Sequence, residues 1–158
     1  MRLLVRPVAV AAALVALTAG LLAGGAGTAP ASTDGFGFFK TPSGKIVCQW
    51  ASGGSPSASV ECGVETGLKP PIPKGGPGCL HLDYVGNRVS LSVTGRVQPV
   101  PCAGDAGPFA APAKTVYLHY GKTWSASGLS CTAATKGLTC RNRDGHGFFL
   151  SLRGWSVF

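Results

Sequence analysis

Arg88-Val89-Ser90-Leu91-Ser92-Val93 is the stretch that decides the fold class. Val89, Leu91 and Val93 alternate with Arg88, Ser90 and Ser92, the period of a half-buried strand, because successive side chains of an extended chain point to opposite faces. Upstream, Leu80–Val85 is a second extended run, and Gly86-Asn87 between the two reads as a two-residue hairpin turn with glycine first. Downstream, Thr94-Gly95 turns into Arg96–Val100. The same grammar continues in both directions. Phe36-Gly37-Phe38-Phe39, Lys45–Trp50 and Ser59–Val64 read as strands, with Thr41-Pro42-Ser43-Gly44 as a turn between the first two. Thr115–Tyr120 alternates, and Gly121-Lys122 reads as a hairpin turn into Thr123–Ser125. Leu129–Thr132, Leu138–Arg141, Phe148–Leu152 and Trp155–Phe158 follow. No window carries a sustained i, i+3, i+4 pattern with caps. The expectation is an all-β, antiparallel sandwich or small barrel of about ten short strands.

Composition agrees. The chain has 158 residues with 24 glycines and 12 prolines, suited to many turns and unsuited to a helix bundle. Two Pro/Gly-rich segments read as loops: Pro99–Ala113, and 67–78, expected to be a surface loop with little stabilising role. Pro70-Pro71-Ile72-Pro73 within the latter has the spacing of a polyproline ligand, although connectors of this composition are far commoner.

The N-terminus reads as a secretory leader. Arg2 and Arg6 precede the apolar run Val8–Ala23, and Ala29-Pro30-Ala31 places alanines at −3 and −1 of a cut before Ser32. An uncleaved membrane anchor is the alternative; Gly20, Gly24, Gly25 and Gly27 weaken it. The expected organisation is therefore a signal peptide over 1–31 and one secreted β-rich domain over 32–158, without stable membrane insertion after cleavage. All six cysteines, Cys48, Cys62, Cys79, Cys102, Cys131 and Cys140, fall in that domain, and an even count in an exported chain reads as a disulfide framework. Six cysteines allow fifteen connectivities. Each successive pair brackets a candidate hairpin, which favours 48–62, 79–102 and 131–140. Ser43–Cys48 with Val60–Cys62 resembles Ser127–Cys131 with Leu138–Cys140, as two stapled hairpins would.

Chemistry-bearing sets are sparse. Asp144-Gly145-His146-Gly147 resembles the histidine segment of subtilisin-type proteases, but the matching serine segment is absent. His81, His119 and His146 lie far apart, and no cysteine spacing fits a metal site, so neither metal nor cofactor is expected. His81 and Asp83 share one side of a strand, most simply as a surface pair. The six carboxylates, Asp34, Glu61, Glu65, Asp83, Asp105 and Asp144, are scattered singly, with no glycosidase-like pair. No catalytic residue is assigned.

The formal charge is +8, and removal of Arg2 and Arg6 with the leader leaves +6. Arg141, Arg143, His146, Phe149, Arg153 and Trp155 form the candidate binding surface, able to meet an anionic polymer or a polar protein face by ion pairing and cation–π contact. Nucleic acid is disfavoured, because the basic residues form no long stripe. The leading functional expectation is a monomeric, secreted, non-enzymatic binding or interaction protein of the cell envelope or extracellular space, with an anionic cell-wall polymer or an extracellular protein as partner. The alternative is a small secreted hydrolase with its site around His146, for which Ser127, Ser130 and Ser151 are nucleophiles on paper.

Several motifs recur in order. Phe39–Cys48 reads Phe-Lys-Thr-Pro-Ser-Gly-Lys-Ile-Val-Cys, followed by Val60-Glu61-Cys62 and Cys102-Ala103-Gly104-Asp105. Leu118-His119-Tyr120-Gly121, Gly128-Leu129-Ser130-Cys131 and Gly137–Phe148 complete the set, the last containing Cys140-Arg141-Asn142-Arg143-Asp144-Gly145-His146-Gly147-Phe148. The chain resembles a family of small exported actinobacterial proteins carrying a domain of unknown function. Lys45 stands where that family usually has asparagine. The resemblance implies export and this fold, and it carries no mechanism.

Mass spectrometry of the exported protein should find an N-terminus near Ser32 and a mass six hydrogens below that of the reduced chain. Free thiols at all six cysteines would overturn the framework.

Overall fold

The computed structural model describes residues 35–52, 58–73, 79, 81–82 and 84–158. The leader and the carboxylate Asp83 lie outside the described residues. Among the described residues the fold is all-β, with eleven strands in two sheets. The first sheet has six strands in the order β5-β4-β3-β2-β1-β6: β1 (Gly35–Lys40), β2 (Ile46–Ser52), β3 (Ser59–Val64), β4 (Tyr84–Ser92), β5 (Gln98–Ala103) and β6 (Val116–Tyr117). The second has five in the order β11-β10-β9-β8-β7: β7 (Thr123–Ala126), β8 (Leu129–Ala134), β9 (Gly137–Arg141), β10 (Gly147–Leu150) and β11 (Trp155–Val157). Both inner faces contribute to one apolar core, a sandwich rather than a closed barrel. Among the described residues no helix is long and apolar enough to cross a membrane.

Strict alternation builds that core. Val89 and Leu91 of β4, Val60 and Cys62 of β3, and Ile46 and Cys48 of β2 point inward from the first sheet. Leu129, Cys131, Ala133, Leu138, Cys140, Phe148 and Leu150 do so from the second. Aromatic rings join the layers: Phe39 lies 5.2 Å and Trp50 5.6 Å, centroid to centroid, from Trp124 of β7. Two disulfides lie in this core, Cys48–Cys62 and Cys131–Cys140, each between residues directly opposite in register. Their Cα separations of 4.1 and 4.0 Å are those of the closely spaced, non-hydrogen-bonded antiparallel position. The third, Cys79–Cys102, ties the segment before β4 to the edge strand β5.

Four expectations are corrected. Gly86-Asn87 is not a hairpin turn. The chain runs through it as one strand, and the register against β5 shifts between Val85 and Arg88, so the dipeptide is a bulge. Gly86 has the positive φ that the turn reading relied on, +60°, but uses it to bend a strand. Second, the loop expected over Pro99–Ala113 begins inside β5, because an edge strand accepts Pro99 and Pro101 where a central one would lose ladder bonds. Third, Gly121-Lys122 joins no hairpin. β6 pairs parallel to β1, and the turn carries the chain to β7 in the other sheet.

The fourth correction concerns segment 67–78, of which 74–78 lie outside the described residues. The rest is irregular but anchored. Leu68 and Ile72 are buried members of the core, while Lys69, Pro70, Pro71 and Pro73 are exposed. The Ile72 N–H donates to the Gly86 carbonyl at 3.3 Å, and the Trp155 indole N–H donates to the Pro70 carbonyl at 2.8 Å. The described part of the segment thus packs two side chains into the core and is bonded to β4 and β11.

Ile72→Ala should therefore lower unfolding stability by about 2 kcal/mol or more, the usual range for truncating a buried aliphatic side chain. Pro71→Ala at an exposed position should change it by less than about 0.5 kcal/mol. Chemical denaturation of both variants tests this, and equal stabilities would show the segment to be dispensable.

Candidate functional site

The outer face of the five-stranded sheet is built by the same alternation that buries its inner face. Cross-strand register places Thr123, Thr132, Thr139, Phe149 and Ser156 in one row across all five strands. A second row holds Ser125, Ser130, Arg141 and Gly147. Thr123 and Thr132 share a hydroxyl hydrogen bond of 2.8 Å. The rows form a flat hydroxyl-bearing surface with one guanidinium and two rings. Phe158 supplies the second ring. Its backbone exchanges hydrogen bonds of 2.8 and 2.9 Å with Gly147, and its ring stands over the face where a Gly147 side chain would be. The Arg141 guanidinium carbon lies 4.3 Å from that ring's centroid. Such a stack contributes about 0.5–1 kcal/mol at an exposed site and holds a flexible cation in place. Phe149 similarly covers Gly137.

A groove of about 480 Å³ borders this face, lined by Arg96, Val97, His146, Val157 and Phe158. The turn behind it is rigid. Asn142 donates through its side-chain amide to the carbonyls of Ser92 (3.1 Å) and Gly95 (2.7 Å), and the Gly95 N–H donates to the Asp144 carboxylate at 2.7 Å. The 142–146 turn thus clamps the β4–β5 connection of the other sheet. Asp144, the partner that a catalytic reading would give to His146, accepts the Gly95 amide through Oδ2. Ser151 closes its own turn, accepting from the N–H groups of Arg153 and Gly154.

The six residues expected to form one surface are divided. Arg141 and Phe149 share the outer face, with His146 at its rim. Arg143 is exposed beside them, its side chain lying over Gly128. Arg153 lies at the opposite end of β10, in the turn to β11. Trp155 packs against the core and holds Pro70. Phe158, Arg96 and Val97 join the site without having been singled out. Arg96 and Val97 come from the connection between β4 and β5, through a contact that local sequence does not encode. Phe158 has a local signal: Trp155–Phe158 alternates opposite Gly147, leaving a ring over a missing side chain.

A second polar cluster was not anticipated at all. Arg88, on the outer face of β4, is 2% exposed. Its guanidinium pairs with Glu61 at 2.9 Å and with Asp105 at 3.1 Å, and it donates to the Asp105 carbonyl at 3.1 Å. The short 3-10 turn Gly107–Ala110 covers it. Gly107, at φ +50°, approaches so closely that any side chain would strike the guanidinium. Burial pushes the Glu61 carboxyl above the ordinary glutamate range, against the opposing pull of Arg88. The turn covers Arg88, while Asp105, 79% exposed, stands at its edge.

Residues 14–158 match the model of a family described as "Family of unknown function (DUF6636)". The chain belongs to that family. No curated protein and no solved structure matches it.

Because Glu61 keeps its proton to higher pH in the folded chain than in the unfolded one, folding takes up a proton there once pH exceeds about 4.5. Glu61's contribution to stability is then full below that value and declines as pH rises through the folded-state pKa. The stability difference between the native chain and Glu61→Gln should fall from pH 4 to pH 7 in parallel denaturation curves. A difference that grows with pH would mean that pairing with Arg88 outweighs burial.

Proposed function

We propose that this chain is a non-enzymatic binding protein, exported with loss of the 1–31 leader and acting as a monomer at the cell envelope of an actinobacterium or outside it. Its ligand is an anionic wall polymer lying across the outer face of the five-stranded sheet. The observation that carries the reading is the Arg141–Phe158 stack beside Phe149, set among the hydroxyls of Thr132, Thr139, Ser130 and Ser156. A polymer of sugar or polyol units with acidic groups needs these contacts: a fixed cation, apolar faces for ring or chain carbons, and short hydroxyls for hydrogen bonds. Arg96 and His146 extend the basic edge along the bordering groove. The three disulfides support maturation in an oxidising compartment, where such a polymer would be met.

Retention of the mature protein on purified envelope polymer tests this. At low salt the protein should be retained, and retention should fall as ionic strength rises, because exposed charge contacts are screened. Arg141→Ala and Phe149→Ala should each reduce retention at least fivefold, while Lys114→Ala, exposed elsewhere, should not. No retention at low salt, or an Arg141→Ala variant retained like the native chain, would overturn the proposal. Salt-insensitive retention from a crude envelope fraction would point instead to a protein partner.

A further inference from the structure

The end of the sandwich away from His146 carries a cleft that the outer face does not use. Three turns converge there with Tyr120: the β1–β2 turn, the β8–β9 turn and the β10–β11 turn. Two adjoining pockets of about 140 and 380 Å³ share Thr135, Lys136, Ser151 and Leu152 in their linings, and the larger falls within the range of small-molecule sites, about 300–1,000 Å³. The polar lining of the cleft is of one kind. Lys136 and Arg153 are both exposed, no carboxylate lines either part, and neither cation has an ion-pair partner among the described residues. Thr135 adds an exposed hydroxyl, and the exposed Ser43 hydroxyl, which accepts the Lys45 N–H and pairs with the Thr41 hydroxyl, adds a second. Tyr120 and Leu152, 43% and 45% exposed, form apolar walls.

The cations stand on fixed backbone. Lys136 belongs to a two-residue turn between the paired residues Ala134 and Gly137. Arg153 lies in a turn closed by Ser151, whose hydroxyl donates to the Gly154 carbonyl at 2.8 Å and accepts the Arg153 and Gly154 N–H groups at 3.2 and 3.0 Å. The short closed turns fix the backbone from which both side chains reach into the cleft.

We propose that this cleft binds a single sugar residue bearing a carboxylate or phosphate. Lys136 and Arg153 take the acidic group, Tyr120 takes a ring face, and Ser43 and Thr135 take ring hydroxyls. A bare anion would use only the two cations, and a neutral sugar would leave them unmatched, so the combination selects the charged sugar. This site is independent of the outer face proposed above.

The test is a two-dimensional amide NMR titration of the mature chain with glucuronate, glucose 6-phosphate, glucose and inorganic phosphate. The charged sugars should shift the amides of residues 135–137 and 151–153 saturably. Glucose and phosphate should each bind at least fivefold more weakly. A Lys136→Met, Arg153→Met double variant should lose at least tenfold in affinity with its spectrum otherwise native. Tyr120→Ala should weaken the charged sugars while leaving phosphate unchanged, and Arg141→Ala should alter neither. Three results would overturn the proposal: no saturable shift, phosphate binding as well as the charged sugars, or loss of the shifts in Arg141→Ala, which would move the ligand to the outer face.

Discussion

Register is the constraint on which everything else depends, and two buried disulfides hold it. Cys48 opposes Cys62 and Cys131 opposes Cys140, each pair in adjacent central strands and each fully buried. A slip of one residue in either pair would send the core side chains of that strand to the outer face and the polar ones inward. The covalent bond forbids the slip. It also closes short loops, worth about 3 kcal/mol for a loop of some fifteen residues. The outer rows of hydroxyls, with Arg141 and Phe149 among them, exist as rows because Cys131 and Cys140 fix β8 against β9. The site's geometry is thus the reverse side of the core's.

Rings lying over glycines are the second recurring device. Trp50 covers Gly37, Phe109 covers Gly63, Phe149 covers Gly137 and Phe158 covers Gly147. In each case the missing side chain leaves room for a large ring to come within 3.1 Å of where a Cβ would stand. On the inner side this brings Trp50 to Trp124 and joins the layers. On the outer side it leaves Phe149 and Phe158 partly exposed, which turns a packing device into contact surface. Substitution of Gly147 would unseat Phe158, and with it the support for Arg141.

Strand existence was legible because burial on one face imprints a period of two. The stretch Val89–Val93 and the apolar-x-Cys endings at Val60-Glu61-Cys62 and Leu138-Thr139-Cys140 read directly as half-buried strands. Connectivity was less so. Gly86-Asn87 has the chemistry of a hairpin turn and of a bulge alike, since both need a positive φ. What decides between them is distant: β5 pairs with both halves of β4, and Ile72 caps the Gly86 carbonyl. Arg88 was misleading for a related reason. Alternation put it on the solvent side with Ser90 and Ser92, which is its correct face, but a loop twenty residues downstream covers that face.

The same covering explains why a lone arginine can be buried in so small a domain. Isolated, the charge would be too costly to remove from water, and a buried pair by itself often only breaks even against an apolar replacement. Here the guanidinium lies between a carboxylate on β3 and one on the covering loop, and it also bonds to that loop's backbone. Arg88 therefore joins the loop carrying Asp105 to the sheet that carries Glu61. Gly107 must be glycine for the turn to come close enough, and Phe109 must find Gly63 for the turn to lie flat. The loop that follows β5 is thereby held to the first sheet by the ion pair, while β5 itself is tied by Cys79–Cys102 to the segment before β4. On the second sheet, by contrast, the outward-facing Thr132, Arg141 and Ser156 stay exposed.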